Sequence, residues 1–172
     1  MTLRLLAGAL SIFSLMGFST CHAAPKPKSG ARLTAYEYCE HGTMAQPNTD
    51  FRITLDKGEQ TCLISIFSHE SMNYHVYRAD ASLMDSICLV IREKKMHKYK
   101  AHYKPCFEVL DGNTWHYEAS FSDGTLLTSH GHEAGPRDKG FRTIELMVKN
   151  WTKNSKLIEQ RTERDCSDAP SL

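Results

Sequence analysis

The pattern is strand-like from Leu33 to Tyr77 and switches to a helical period over Asp80 to Tyr99. That switch limits the fold of this chain more than any other feature. A period of two buries one face of a strand, and a period near 3.6 buries one stripe of a helix. Leu33 to Cys39 carries Tyr36 and Tyr38 on one face. Phe51, Ile53 and Leu55 alternate with Arg52 and Thr54, while Cys62 to Phe67 is apolar on both faces and reads as central. Tyr74 to Tyr77 is a fourth, shorter strand. Between the second and third, Asp56-Lys57-Gly58-Glu59 is turn chemistry.

From Asp80 to Tyr99 the residues Leu83, Met84, Ile87, Val90 and Ile91 fall at helical spacing. Ser82 with Asp85 predicts a capping box, and Pro105 forbids continuation. Trp115, Tyr117, Ala119 and Phe121 then share one face of a strand. Ser122-Asp123-Gly124 signals a hairpin turn, and Leu126 to Ser129 returns. Asp138 can cap a last helix bearing Phe141, Ile144, Met147 or Val148, and Trp151. The predicted order is ββββαββα, an α+β fold in which an antiparallel sheet is backed by two helices. Residues 32–153 form its single domain. Residues 154–172 are a charged tail, partly helical or disordered.

Before the domain stands an address. Residues 1–23 read as a secretory signal: Arg4, an apolar run from Leu5 to Phe18, then small residues. Cleavage after Ala23 satisfies the small-residue requirement, with Ala24 opening the mature chain. Residues 24–31 are a Pro/Lys/Gly leader, expected to be flexible. The apolar run is shorter than the roughly 20 residues of a membrane span. A second reading has Cys21 as an acylated lipoprotein anchor. Cleavage takes Arg4 and Cys21 and leaves as many basic as acidic residues. A neutral chain has no long-range pull toward nucleic acid or an anionic membrane surface.

Of the 6 cysteines in the chain, Cys39, Cys62, Cys88, Cys106 and Cys166 remain after export. An oxidising compartment makes them candidates for disulfides. Cys88 with Cys106 and Cys39 with Cys62 are the expected pairs, leaving Cys166 over. No Cys-x-x-Cys spacing occurs, so neither a zinc ribbon nor a thioredoxin-type site is indicated.

Two further clusters bear chemistry. His130 and His132, two apart on an extended segment, can face one way and share a zinc ion, with Glu133 as third ligand or base. The competing reading is a polar hairpin loop ended by Pro136. Lys94, Lys95 and Lys98, with Tyr99 and Tyr103, could grip an acidic protein partner; a solvated helix end explains the same residues without a partner. Gly-x-Ser-x-Gly, Walker and dinucleotide patterns are absent from the sequence.

Asp111-Gly112-x-x-Trp115, Phe121-x-Asp123-Gly124, Ser129-x-Gly131 and Pro136 together resemble an uncharacterised family of small exported bacterial proteins. The match covers about thirty residues. The resemblance implies a bacterial origin and this fold, and no activity. In that family Asn often stands where this chain has Glu133, so no shared site is implied there. The functional expectation is an exported, periplasmic protein-binding module, such as an immunity protein or an inhibitor that neutralises a toxin or cell-wall enzyme. No cofactor is expected for that role. A metal-dependent hydrolase using His130, His132 and Glu133, with zinc as the possible ion, and a structural envelope lipoprotein, are the alternatives.

Overall fold

The computed structural model describes residues 25–162, apart from 43–47, 57, 59, 69, 108, 110, 111 and 138. The signal segment, its cleavage residues Ala23 and Ala24, Cys21, Cys166, Asp111 and Asp138 lie outside the described residues. Strands β1 (Leu33–His41), β2 (Thr49–Leu55), β3 (Thr61–Ser68) and β4 (Asn73–Asp80) follow one another as an antiparallel meander. Helix α1 (Ser82–Glu93) and a short 3-10 turn, Met96–Lys98, come next. Then come β5 (His102–Tyr103), β6 (Thr114–Phe121), β7 (Leu126–His132), helix α2 (Gly140–Lys153) and β8 (Leu157–Thr162). The strands make one eight-stranded sheet in the order β5-β7-β6-β1-β2-β3-β4-β8.

The mixed fold and the hairpins agree with the sequence pattern, but two strands extend the sheet beyond the expected order. β8 forms within the stretch expected to be a charged tail and pairs antiparallel with β4. Its residues Leu157 to Gln160 are exposed whichever way they face. An edge strand of this kind is held by backbone bonds, and its side chains carry no period to read. β5 is two residues long and pairs parallel with β7 through His102 and His130. The capping box expected at Ser82 and Asp85 is not formed. Ala81 occupies the cap position, and the Ser82 amide donates instead to Asp80 Oδ1 at 2.8 Å. Hydrogen bonds from the Ser82 side chain and then its amide hold the Asp80 carboxyl below its ordinary range.

Both helices lie on one side of the sheet. Tyr36 and Tyr38 of β1, Phe51 and Ile53 of β2, Ile64 of β3, and Trp115, Tyr117 and Ala119 of β6 face them and are buried. α1 contributes Leu83, Met84, Ile87 and Ile91; α2 contributes Phe141, Ile144 and Val148. An aromatic layer runs through the interface, with Tyr38 stacked on Phe141 at 5.1 Å and Trp115 on Phe141 at 4.9 Å between ring centroids. The one charged residue in the core among those described is Glu145. Its carboxylate accepts from Arg142 Nη1 and Lys149 Nζ, both at 2.6 Å, and from Thr49 Oγ1 at 3.3 Å, tying α2 to β2.

Buried tyrosines need partners for their hydroxyls. Tyr38 donates to Glu40 Oε2 at 2.9 Å and Tyr117 donates to the Met96 carbonyl at 3.0 Å. Tyr99 accepts from the Gly140 amide at 3.0 Å, beside the start of α2. Tyr36 Oη is buried without a hydrogen-bond partner. Burial pushes this hydroxyl's pKa well above its ordinary range, so it stays neutral. Tyr36→Phe removes a desolvated group without opening a cavity. It is expected to raise stability by about 1 kcal/mol, read as a higher midpoint in chemical denaturation. A loss of that size would mean that the hydroxyl has a partner.

Candidate functional site

Among the described residues both helices lie on one side, and the other side of the sheet, the bare side, carries no helix. Strand alternation fixes which residues it carries: Glu37 and Cys39 of β1, Asp50, Arg52 and Thr54 of β2, and Leu63, Ser65 and Phe67 of β3. Tyr74, Val76 and Arg78 of β4 continue the face, and His116, Glu118, Thr128 and His130 extend it across β6 and β7. The face is mixed in character. Phe67 and Tyr74 form a tilted aromatic pair at 5.1 Å. Val76 is buried among its neighbours, outside the main core. Charges are largely balanced within the face, as in Arg52 with Glu37 at 3.8 Å.

One row of directly paired residues crosses five strands. It runs His102 (β5), His130 (β7), His116 (β6), Cys39 (β1) and Asp50 (β2). The imidazoles of His102 and His130 lie 4.4 Å apart, and those of His116 and His130 lie 6.4 Å apart, centroid to centroid. Burial, then His102, then His116 push the His130 pKa below 6.5. The Cys39 thiol is pushed up to about 11, first by burial and then by Asp50 and Glu37. It is protonated at neutral pH and is a poor nucleophile.

The His130 shift has a consequence for stability. Above pH 6.5 the imidazole is neutral whether the chain is folded or not. Below 6.5 the unfolded chain takes up a proton that the folded chain resists, so stability falls as pH falls toward the depressed folded value. His97 acts in the same direction. Melting temperature is expected to drop between pH 7.5 and 5.5, and His130→Gln to make that drop shallower. A variant with an unchanged or steeper profile would contradict the assignment.

The expected zinc set is dispersed. His130 and His132 do share the bare side of β7, as their spacing implies. His130 is exposed there, whereas His132 Nε2 is buried at the 112–113 loop without a hydrogen-bond partner. Glu133 takes left-handed backbone geometry, with φ 46°, and turns its carboxylate to the Asn113 amide. Among the described residues, no group of three or more His, Cys, Asp or Glu side chains is set to hold a metal ion.

The expected partner-binding residues also separate. Tyr99 is buried in the core, and Tyr103 packs against Trp115 at 5.8 Å with its hydroxyl accepting from the Lys100 amide. Neither ring is a free stacking surface. Lys95 and Lys98 come together at one cavity, and Lys94 is not among the residues lining it.

The expected disulfides are not formed, and Cys39, Cys62, Cys88 and Cys106 are free thiols. β2 stands between β1 and β3, and Cys39 faces the bare side while Cys62 faces the helices. Cys88 is buried in α1, whereas Cys106 is exposed on the segment after the 3-10 turn.

The residues carrying the family resemblance build the β6–β7 hairpin. Trp115 Nε1 donates to the Ala134 carbonyl at 2.8 Å, and Gly131 and Gly135 pack against the same ring. Asp123 accepts from the Lys28 amide at 2.8 Å and the Thr125 amide at 3.0 Å, and Gly124 takes φ 81°. Ser129 Oγ donates to the Lys100 carbonyl at 2.6 Å. The described motif residues therefore frame the hairpin. No family model matches the chain, and neither a curated protein nor a solved structure matches it. Among the described residues no helix is long and apolar enough to cross a membrane.

Reading residue by residue missed the histidine row, although half of it is encoded locally. Counting back from the three-residue Ser122-Asp123-Gly124 loop sets His116 opposite His130. His102 has no such signal, because a two-residue parallel strand leaves none.

Proposed function

We propose that this protein is an exported binding module of the bacterial periplasm that docks a partner protein on the bare face of its sheet, in the manner of an immunity protein or an inhibitor. The observation that carries this is an eight-stranded sheet with both helices on one side. Strands lie about 4.8 Å apart and rise about 3.3 Å per residue, so the face spans roughly 30 Å by 25 Å. That is close to the ~800 Å² per partner of a standard protein–protein interface. A sheet face of this breadth suits a protein rather than a small molecule, which takes an enclosed, concave site. Aromatic and aliphatic groups (Phe67, Tyr74, Leu63) beside polar and charged neighbours match the usual anatomy of such interfaces. Export rests on the signal-like residues 1–23.

The test is co-purification from periplasm with the tagged mature chain. Thr54→Arg with Ser65→Arg sets two bulky cations on the bare face without touching the core. Leu146→Arg alters the outer side of α2, where Leu146 is 55% exposed. The bare-face pair is expected to lose a stoichiometric partner that Leu146→Arg retains. Retention of the same partner by the bare-face pair overturns the docking reading.

A further inference from the structure

Next to the C-terminal end of α1 lies a cavity of about 560 Å³ whose lining shares no residue with the bare face. Lys26, Lys28, Arg92, Lys95 and Lys98 line it together with His97, and none of the described residues lining it is acidic. A solvated helix end accounts for Arg92, Lys95 and Lys98, since cations near a helix C-terminus complement its dipole. It does not account for Lys26 and Lys28, which arrive from the leader.

The leader is fastened in place rather than drawn there by charge. The Lys28 amide donates to Asp123 Oδ2 at 2.8 Å, and the Ala31 amide donates to the Lys28 carbonyl at 3.1 Å. Arg92 Nη2 donates to the Ala31 carbonyl at 3.2 Å, joining α1 to the leader. Like charges repel, so the bonds of the fold hold five cations around one space in a chain whose net charge is only +1. Burial, then Lys26, Lys98 and Lys95 push the His97 pKa below its ordinary range, so these ammonium groups act on a common point.

We propose that this cavity binds a small soluble anion carrying two or more negative charges, of the phosphate-ester or pyrophosphate class. Its volume lies within the roughly 300–1,000 Å³ of small-ligand sites. Lysine ammonium groups act as point charges that suit a phosphate with several acceptor oxygens. A concave basic site favours a discrete anion over a polymer or a lipid surface. No Phe, Tyr or Trp lines it to stack nucleic-acid bases, among the described residues.

The experiment titrates the mature full chain with inorganic pyrophosphate in chloride buffer and follows backbone amide resonances together with calorimetry. Saturable one-to-one binding is expected, with shifts confined to 26–31 and 91–98 and an affinity that weakens with salt. Lys26→Glu with Lys28→Glu, and separately Lys95→Glu with Lys98→Glu, are each expected to lower affinity at least tenfold. The Lys→Gln versions, which keep the fold under less charge perturbation, should give a smaller loss in the same order. Unsaturable shifts spread over all surface lysines overturn the proposal. So does affinity unchanged in every variant, or binding to anionic vesicles or single-stranded DNA that pyrophosphate does not displace. Failure here leaves the bare-face reading standing, because the two surfaces share no residue.

Discussion

Trp115→Ala is expected to cost about 3–5 kcal/mol, a large part of the roughly 5–15 kcal/mol that holds a domain together. The indole is 7% exposed, stacks on Phe141 of α2 and packs against Tyr103 after the 3-10 turn. Its Nε1 also donates to the Ala134 carbonyl, which closes the loop following β7. Alanine removes the ring, leaves a cavity between sheet and helix, and orphans a carbonyl. Trp115→Phe keeps most of the stacking and loses only the bond and some volume, so it should cost about 1–2 kcal/mol. Urea denaturation followed by far-UV circular dichroism measures both. Equal costs would mean that the hydrogen bond, not the packing, dominates.

Gly131→Ala is expected to cost about 3 kcal/mol, the upper end of an overpacking change. A Cβ at this position would stand 2.3 Å from the Ala134 carbonyl oxygen and 2.7 Å from Trp115 Nε1. The first is backbone and the second is a ring wedged against Phe141, so neither can move aside at little cost. Gly124→Ala is the control. Its Cβ would meet open space, and only the positive φ of 81° opposes it, at about 1–2 kcal/mol. Gly131→Ala is expected to be the worse of the two; the reverse order would mean that backbone conformation, not space, decides the cost.

Much of this architecture is legible from period alone. Tyr36, Tyr38, Phe51 and Ile53 are buried where alternation puts them, and Leu83, Met84, Ile87 and Ile91 line the inner stripe of α1. Hairpin turns at Asp123-Gly124 and near Gly58 set antiparallel neighbours correctly. What escapes the sequence is long-range. β6 pairs with β1 across more than seventy residues, and nothing local in Leu33–His41 says which strand takes its second edge. That pairing brings His116 beside Cys39 and completes the row from His102 to Asp50. The cysteines mislead for the same reason. Sequence neighbourhood suggested Cys39 with Cys62, but the intervening β2 and the alternation of faces separate them. The basic segment is partly legible: Lys95 and Lys98 do line one cavity, yet their companions come from the leader and Tyr99 turns inward to seat α2.

The docking reading makes the distribution of surface contacts its strongest commitment. A photo-crosslinking amino acid can be introduced on the bare face at Leu63 or Thr128, and on the outer side of α2 at Leu146 or Asn150, in cells that export the protein. The account predicts a covalent adduct of one defined mass from the bare-face positions and none from α2. Adducts arising from α2, or none from the bare face in cells where the α2 positions crosslink, would contradict it.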